Sequence, residues 1–137
     1  MLFPIDLVPD DDGGVLATCP LLPEVAVIGE SAREARHRAA EAIEEAIAAR
    51  VAAGREVPRP PNGPCPAGVR ISALIGVKLA LAWALRDSGC SRDDLGRRLG
   101  CGRKEVDRLF RLDHASRLDQ LEAACRMLGR ELQIEVC

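Results

Sequence analysis

Two groups of residues in this chain have the types and spacing to do chemistry. The first lies in Ser91 to Phe110, SRDDLGRRLGCGRKEVDRLF, where Arg92, Arg103, Lys104 and Arg108 recur at spacings that place cations on the exposed faces of short helices. Cations one turn apart on a helix suit hydrogen bonding to phosphate oxygens and base edges, and Asp107 among them can accept from a base. The second group is acidic. Asp10, Asp11 and Asp12 stand in succession, with Glu24 and Glu30 further on, a pattern suited to attracting a basic protein surface.

Other reactive residue types point away from catalysis. His37 has no nucleophile or carboxylate arrangement around it that would make a proton-transfer site, so it reads as a solvated helix residue. Asp10 to Asp12 form a turn before they form a metal site, because hard cations need several more oxygen ligands from defined places. The six cysteines, Cys19, Cys65, Cys90, Cys101, Cys125 and Cys137, contain no CxxC pair, have no histidine at ligand spacing and follow no secretory segment. They indicate a reduced, cytoplasmic protein, with Cys90 and Cys101 filling small apolar slots. No cofactor or metal is expected.

The elements that must position these residues follow from periodicity and turn chemistry. Leu2 to Val8 reads as a strand, the DDDGG turn leads into a return strand Val15 to Cys19, and Glu24 to Ile28 makes a third strand after the Pro20 to Pro23 turn. Ser31 and Glu34 form a capping box opening a long helix that Gly54 ends. Ala35, Ala39, Ala42, Ile43, Ala46, Ile47 and Val51 give it one apolar face, which leaves Arg36, Arg38, Glu41, Glu44, Glu45 and Arg50 in solvent. Val57 to Gly68 carries five of the nine prolines and is expected to be a linker.

Beyond it, Val69 to Ser72 can add a short strand, and Ala73 to Asp87 is an apolar-rich helix with Leu74, Val77, Leu81 and Leu85 in register. Trp83 lies off that register and can pack in the core, on the linker or on a second subunit. Ser91 with Asp94 caps the next helix, whose buried stripe is Leu95 and Leu99, and Gly100 and Gly102 supply a tight turn. Val106, Leu109 and Phe110 then form the core face of a basic second helix, the arrangement of a helix-turn-helix major-groove reader. Ser116 with Asp119 begins a last helix with Leu118, Leu121, Ala124, Cys125 and Leu128 on one face. Glu131 to Val136 alternates as a terminal strand whose free edge invites a second copy.

Composition agrees with two small modules facing different partners. Residues 1–60 hold 6 Arg against 11 Asp and Glu, a net of −5, and residues 61–137 hold 13 Arg and Lys against 10 Asp and Glu, a net of +3. No run reaches the roughly 18 apolar residues of a membrane span, since Lys78 interrupts the longest one.

In order and spacing, the motifs resemble HicB-type antitoxins of bacterial type II toxin-antitoxin modules. The N-terminal signature is Val8-Pro9, the Asp10 to Gly14 turn, Pro20-Leu21-Leu22-Pro23-Glu24, Gly29-Glu30-Ser31 and Arg55-Glu56-Val57-Pro58. The C-terminal one is Leu95 to Gly100, Arg103 to Leu109 and Ser116 to Ala124 with the strand after it. The resemblance spans nearly the whole chain and departs from the family where Gly102 replaces a commoner polar helix cap and where strand aromatics are missing.

It implies an α+β organisation: residues 1–60 a truncated RNase H-like β-β-β-α module that binds a HicA-type mRNA-cleaving toxin, residues 61–68 a linker, and residues 69–137 a Cro/repressor-type helix-turn-helix domain with a short terminal strand. Asp10, Asp11, Asp12, Glu24 and Glu30 are then the expected toxin-facing carboxylates. Arg103, Lys104, Asp107 and Arg108 are expected at base edges, with Ser91, Arg92, Arg111, His114 and Arg117 nearer phosphates. Partners would be the toxin, operator DNA and a second copy in a homodimer or tetramer, with no membrane. An alternative is a stand-alone transcriptional regulator with an N-terminal ligand-binding or protein-binding module. Catalysis is not expected: an RNase H site needs several carboxylates converging on metal ions, and the module offers only Asp6 within a strand.

Overall fold

Turn chemistry at Asp10 to Gly14 sets the first feature of the fold. Asp10 N–H donates to Gly14 O at 2.8 Å, Gly13 N–H returns to Asp10 O at 3.0 Å, and Gly13 takes φ +90, which a side chain would resist. In a computed structural model describing residues 1–136, this hairpin joins β2 (Asp6–Pro9) to β3 (Val15–Cys19). β4 (Leu22–Gly29) completes an antiparallel sheet of order β2-β3-β4, with Val8, Leu16 and Ile28 in one cross-strand row. The expected three-stranded meander is therefore present.

The opening run is not one strand. β1 (Leu2–Pro4) and β2 flank a buried Ile5 and pair with different neighbours, β1 with β5 (Gly68–Arg70) through Phe3 opposite Val69. Residues 68–70 were expected beyond the linker, yet they pair with the first residues of the chain. Ile71 N–H also reaches Met1 O at 3.4 Å. The chain divides into compact units at Ser72 and Ala73, so the proline-rich segment belongs to the first unit. Val57, Val69 and Ile71 are buried there, which gives the returning segment its apolar hold.

Helix α1 (Ala32–Ala52) lies over β3 and β4. Ser31 Oγ accepts from Glu34 N–H, while the Glu34 carboxylate accepts from Glu30 N–H at 2.9 Å, one residue earlier than a capping box would place it. Ala35, Ala39, Ile43, Ala46 and Ile47 are buried as expected, Ile43 and Ile47 each contributing about 2 kcal/mol by burial. Small residues let helix and sheet approach. A Cβ at Gly29 would meet Ala35 N at 2.4 Å, so only glycine lets β4 pass the first turn of α1.

Three α1 side chains expected in solvent are tethers instead. Arg36 donates to Gly68 O at 2.6 Å, Glu44 accepts from Ser72 N–H at 2.6 Å, and Arg50 binds Glu24. Each partner lies 26 or more residues away, outside the reach of helical periodicity.

The second unit is helical: α2 (Ala73–Ser88), α3 (Arg92–Leu99), α4 (Arg103–Phe110) and α5 (Leu118–Met127). Leu81, Leu95, Val106, Leu109, Phe110, Leu121, Ala124 and Cys125 form its core. Gly100, at φ +69, closes α3, and buried Gly96 brings the turn close, since a Cβ there would meet Cys101 O at 3.0 Å and Val106 Cγ2 at 3.1 Å.

Several expectations for this unit are corrected. Ser116 does not cap α5, because its hydroxyl donates to Arg108 O at 3.1 Å, and Arg117 holds the cap position without a side-chain bond. Leu118, placed on the core face by periodicity, is 53% exposed. Glu131 to Val136 forms no strand, because a strand needs a neighbour for its backbone groups and none is offered among the described residues, outside which Cys137 lies. Cys19, Cys65, Cys90, Cys101 and Cys125 are free thiols, and Cys101 packs against the helical core. The architecture is mixed α+β, with five α-helices and short antiparallel strands.

Candidate nucleic-acid interface and acidic surface

Helix α3 starts from a complete capping box: Ser91 Oγ accepts from Asp94 N–H at 3.1 Å, and the Asp94 carboxylate accepts from Ser91 N–H at 3.2 Å. Hydrogen bonding from Ser91, first from its backbone N–H and then from its side chain, holds the Asp94 carboxyl below its ordinary value. Helix α4 starts less firmly, since Gly102 offers no side chain to cap it.

Among the residues expected to meet DNA, Arg92, Arg103 and Asp107 are brought into one network. Asp107 Oδ1 accepts from Arg92 Nη1 and from Arg103 Nε, each at 3.0 Å, and Arg103 Nη1 also donates to Asp93 at 2.9 Å. The Arg92 guanidinium lies 4.7 Å from the Phe110 ring centroid, a cation-π contact that joins the network to the core. The Arg92 bond, then that of Arg103, lowers the Asp107 pKa, and Arg103 is raised in return, first by Asp107.

Lys104 and Arg108 differ from these. They lie one turn apart on α4, both are exposed, and neither side chain has a protein partner among the described residues. Arg108 lines a cleft of about 560 Å³ together with His114 and Arg117. Arg111 is paired with Asp113 through two bonds of 3.1 and 3.0 Å, and Arg117 with Asp119 at 3.0 Å. Those surface pairs are weakly held and can exchange for phosphate.

Lys78 is the residue that sequence reasoning missed. It is 1% exposed, and its ammonium donates to the backbone carbonyls of Arg108 at 3.0 Å, His114 at 2.5 Å and Arg111. In the sequence it only interrupts an apolar run, and nothing local signals its partners. Gly96, buried behind the turn, was missed for the same reason.

In the first unit, four of the five expected carboxylates gather at one end of the sheet. Pro9, Val15 and Gly29 pair in register, so the Asp10 to Asp12 turn and Glu30 extend from the same edge, next to the exposed side chains of Val8 and Ile28. Glu24 stands apart. Its carboxylate takes two bonds from Arg50, at 2.6 and 2.9 Å, and Arg50 also donates to Glu56 O at 3.0 Å. The hydrogen bonds from Arg50 lower the Glu24 pKa to about 2. Its charge is spent on joining β4 to the end of α1.

No group of three or more His, Cys, Asp or Glu among the described residues is placed to hold a metal ion. No helix among them is long and apolar enough to cross a membrane. Fold and surfaces together define a mixed α+β protein with an acid-tipped sheet in one unit and a cation-bearing short helix in the other.

Comparison with known proteins identifies its kin. The chain is 34% identical to Antitoxin HicB of Pseudomonas fluorescens (strain Pf0-1) over 129 residues, covering 93% of this chain and 88% of that protein. It is 29% identical to Antitoxin HicB of Escherichia coli (strain K12) over 135 residues, 98% of each chain. Antitoxin HicB 1 of Photorhabdus laumondii is 27% identical over 137 residues, 99% of this chain and 87% of that protein. No family model matches the chain. The chain belongs to the HicB antitoxin family, and its relatives are antitoxins, which are not enzymes.

Proposed function

We propose that this chain neutralises a HicA-type mRNA-cleaving toxin through its first unit and represses its own operon through its second, acting in the cytoplasm. The observation that carries the reading is the division of charge in an antitoxin-family chain. Asp10, Asp11, Asp12 and Glu30 cluster at one end of a sheet, and Lys104 and Arg108 stand unpartnered on a short helix of a separate unit.

For the toxin, the first unit is read as a truncated RNase H-like module. The carboxylates speed capture of a basic partner, and the neighbouring Val8 and Ile28 side chains, 52% and 49% exposed, supply apolar contact that slows release. Glu24 serves the fold of the module more than its contacts.

For DNA, α3 and α4 act as a helix-turn-helix. Lys104 and Arg108 meet the duplex directly, Arg103 and Asp107 enter as a preformed pair, and Arg92, Arg111, His114 and Arg117 lie toward phosphates. Ser91 acts mainly through its cap. So few contacts hold a monomer weakly, so two copies reading half-sites about one helical turn apart are expected.

Co-expression with the product of the adjacent reading frame tests the first half: a stable complex and restored growth are expected, and their absence overturns it. Binding to the DNA upstream of the gene tests the second. Lys104→Ala and Arg108→Ala should each weaken binding and reduce the salt slope by about 1 if the residue meets phosphate, or cost about 1 to 3 kcal/mol of preference if it reads a base. Unchanged binding in both variants overturns the assignment.

A further inference from the structure

Among the described residues Lys78 is the one buried polar or charged side chain. Transferring an ammonium from water into a core is costly unless its donors are met, and Lys78 has three donors matched by three carbonyls. Burial pushes its pKa down, while Asp113 acts the other way. A methionine would fill the same space without the desolvation, so filling space does not explain the residue.

The three acceptors have a common position. Arg108 O is in the last turn of α4, Arg111 O is at its C-cap, and His114 O is in the loop leading to α5. A helix end lacks intrahelical donors for such carbonyls and carries the negative pole of the helix dipole, which favours a cation there. Lys78 thus adds to the bond each already accepts: Arg108 O from Ser116 Oγ at 3.1 Å, Arg111 O from His114 N–H at 3.3 Å and His114 O from Ser116 N–H at 3.0 Å. The side chains of the same three residues, Arg108, Arg111 and His114, point elsewhere and are proposed contacts to DNA.

We infer that Lys78 is a positioning residue for DNA recognition: by binding the carbonyls of Arg108, Arg111 and His114, its ammonium fixes the exit of α4 and the following loop where their side chains meet the duplex. This rests on the DNA-binding reading above. The ordering is completed during folding, so less conformational freedom is lost when DNA binds.

The composition makes the test direct, because Lys78 and Lys104 are the only lysines in the chain. Mild acetylation of the full-length wild-type protein should label exposed Lys104 and leave Lys78 unmodified until the chain unfolds. Labelling of Lys78 at the rate of Lys104 overturns the proposal, and this arm needs no variant to fold. Lys78→Met then tests the consequence well below its melting temperature. The hydrogen-bonded amides of Arg111, His114 and Ser116 should exchange at least tenfold faster than in the wild type without DNA, and affinity for the upstream DNA should fall at least tenfold.

Unchanged exchange overturns the pinning of the loop, and faster exchange with unchanged affinity overturns its role in recognition. A wild-type chain that binds no DNA defeats the DNA-binding reading and this proposal with it. The exchange and labelling arms then still report separately whether Lys78 holds the loop.

Discussion

The Arg103 guanidinium and the Asp107 carboxylate, one turn apart on α4, are hydrogen-bonded at 3.0 Å, and the same Asp107 oxygen also holds Arg92 of α3. The cation-bearing surface of α3 and α4 thus carries its own counter-charge, and both arginines are held by it without any ligand. Asp107→Asn should release both while changing stability by no more than about 1 kcal/mol, because all three side chains are partly exposed. With one negative charge removed, affinity for random DNA should rise, and discrimination in favour of the upstream DNA should fall. Fluorescence anisotropy on both DNAs over a salt series measures this. A variant that keeps wild-type discrimination would show that the network plays no part in readout.

The Glu24 and Arg50 pair gives the first unit a dependence on acid. Glu24 titrates near 2 in the folded chain, below its ordinary 4.5, so the pair stabilises the fold fully above about pH 4.5. That contribution is lost as pH falls through the interval down to about 2. The Glu24 side chain is 40% exposed, so solvent screens the pair and its worth is about 0.5 to 1 kcal/mol. Glu24→Gln should therefore be less stable than wild type at pH 7, with the two urea-unfolding curves converging near pH 2. A constant gap across that range would assign the loss to something other than the carboxylate charge.

Gly29 allows α1 to sit on β4. Alanine there would place its Cβ 2.4 Å from Ala35 N, a backbone atom that cannot swing aside. Gly29→Ala should cost more than about 2 kcal/mol, as overpacking against rigid backbone does. Thermal unfolding followed by circular dichroism should show the drop in Tm, while Gly102→Ala, at an open position, should change it little.

The C-terminal segment alternates as a strand would, ends α5 through Gly129 at φ +72, and exposes Ile134 and Val136. If it completes a strand only against a second copy, removing Glu131 to Cys137 should halve the particle mass measured by light scattering and weaken DNA binding. Unchanged mass would remove the tail from the proposed dimer.

Elements whose signals are local were legible in the sequence. Ser91 and Asp94 cap α3, Gly100 closes it, Ser31 and Gly54 bound α1, and the Asp10 to Gly14 turn sets the meander, because each signal involves neighbours within a few residues. The candidate site was legible as residue types on α4. Which cations are paired and which are free was not, since Asp93, Arg92 and Arg103 come together only when α3 packs against α4.

By itself, then, the sequence determined the helices, the meander, the separation of acidic from basic halves and the resemblance to HicB antitoxins. Tertiary structure alone decided that β1 pairs with β5, that Arg36 and Glu44 tie the proline-rich return to α1, that Arg50 ties α1 to Glu24 of β4, and that Lys78 holds the end of α4. The physical reason is separation along the chain. Periodicity and caps report which face of an element is buried, while a partner 26 or more residues away is fixed only by how those faces pack.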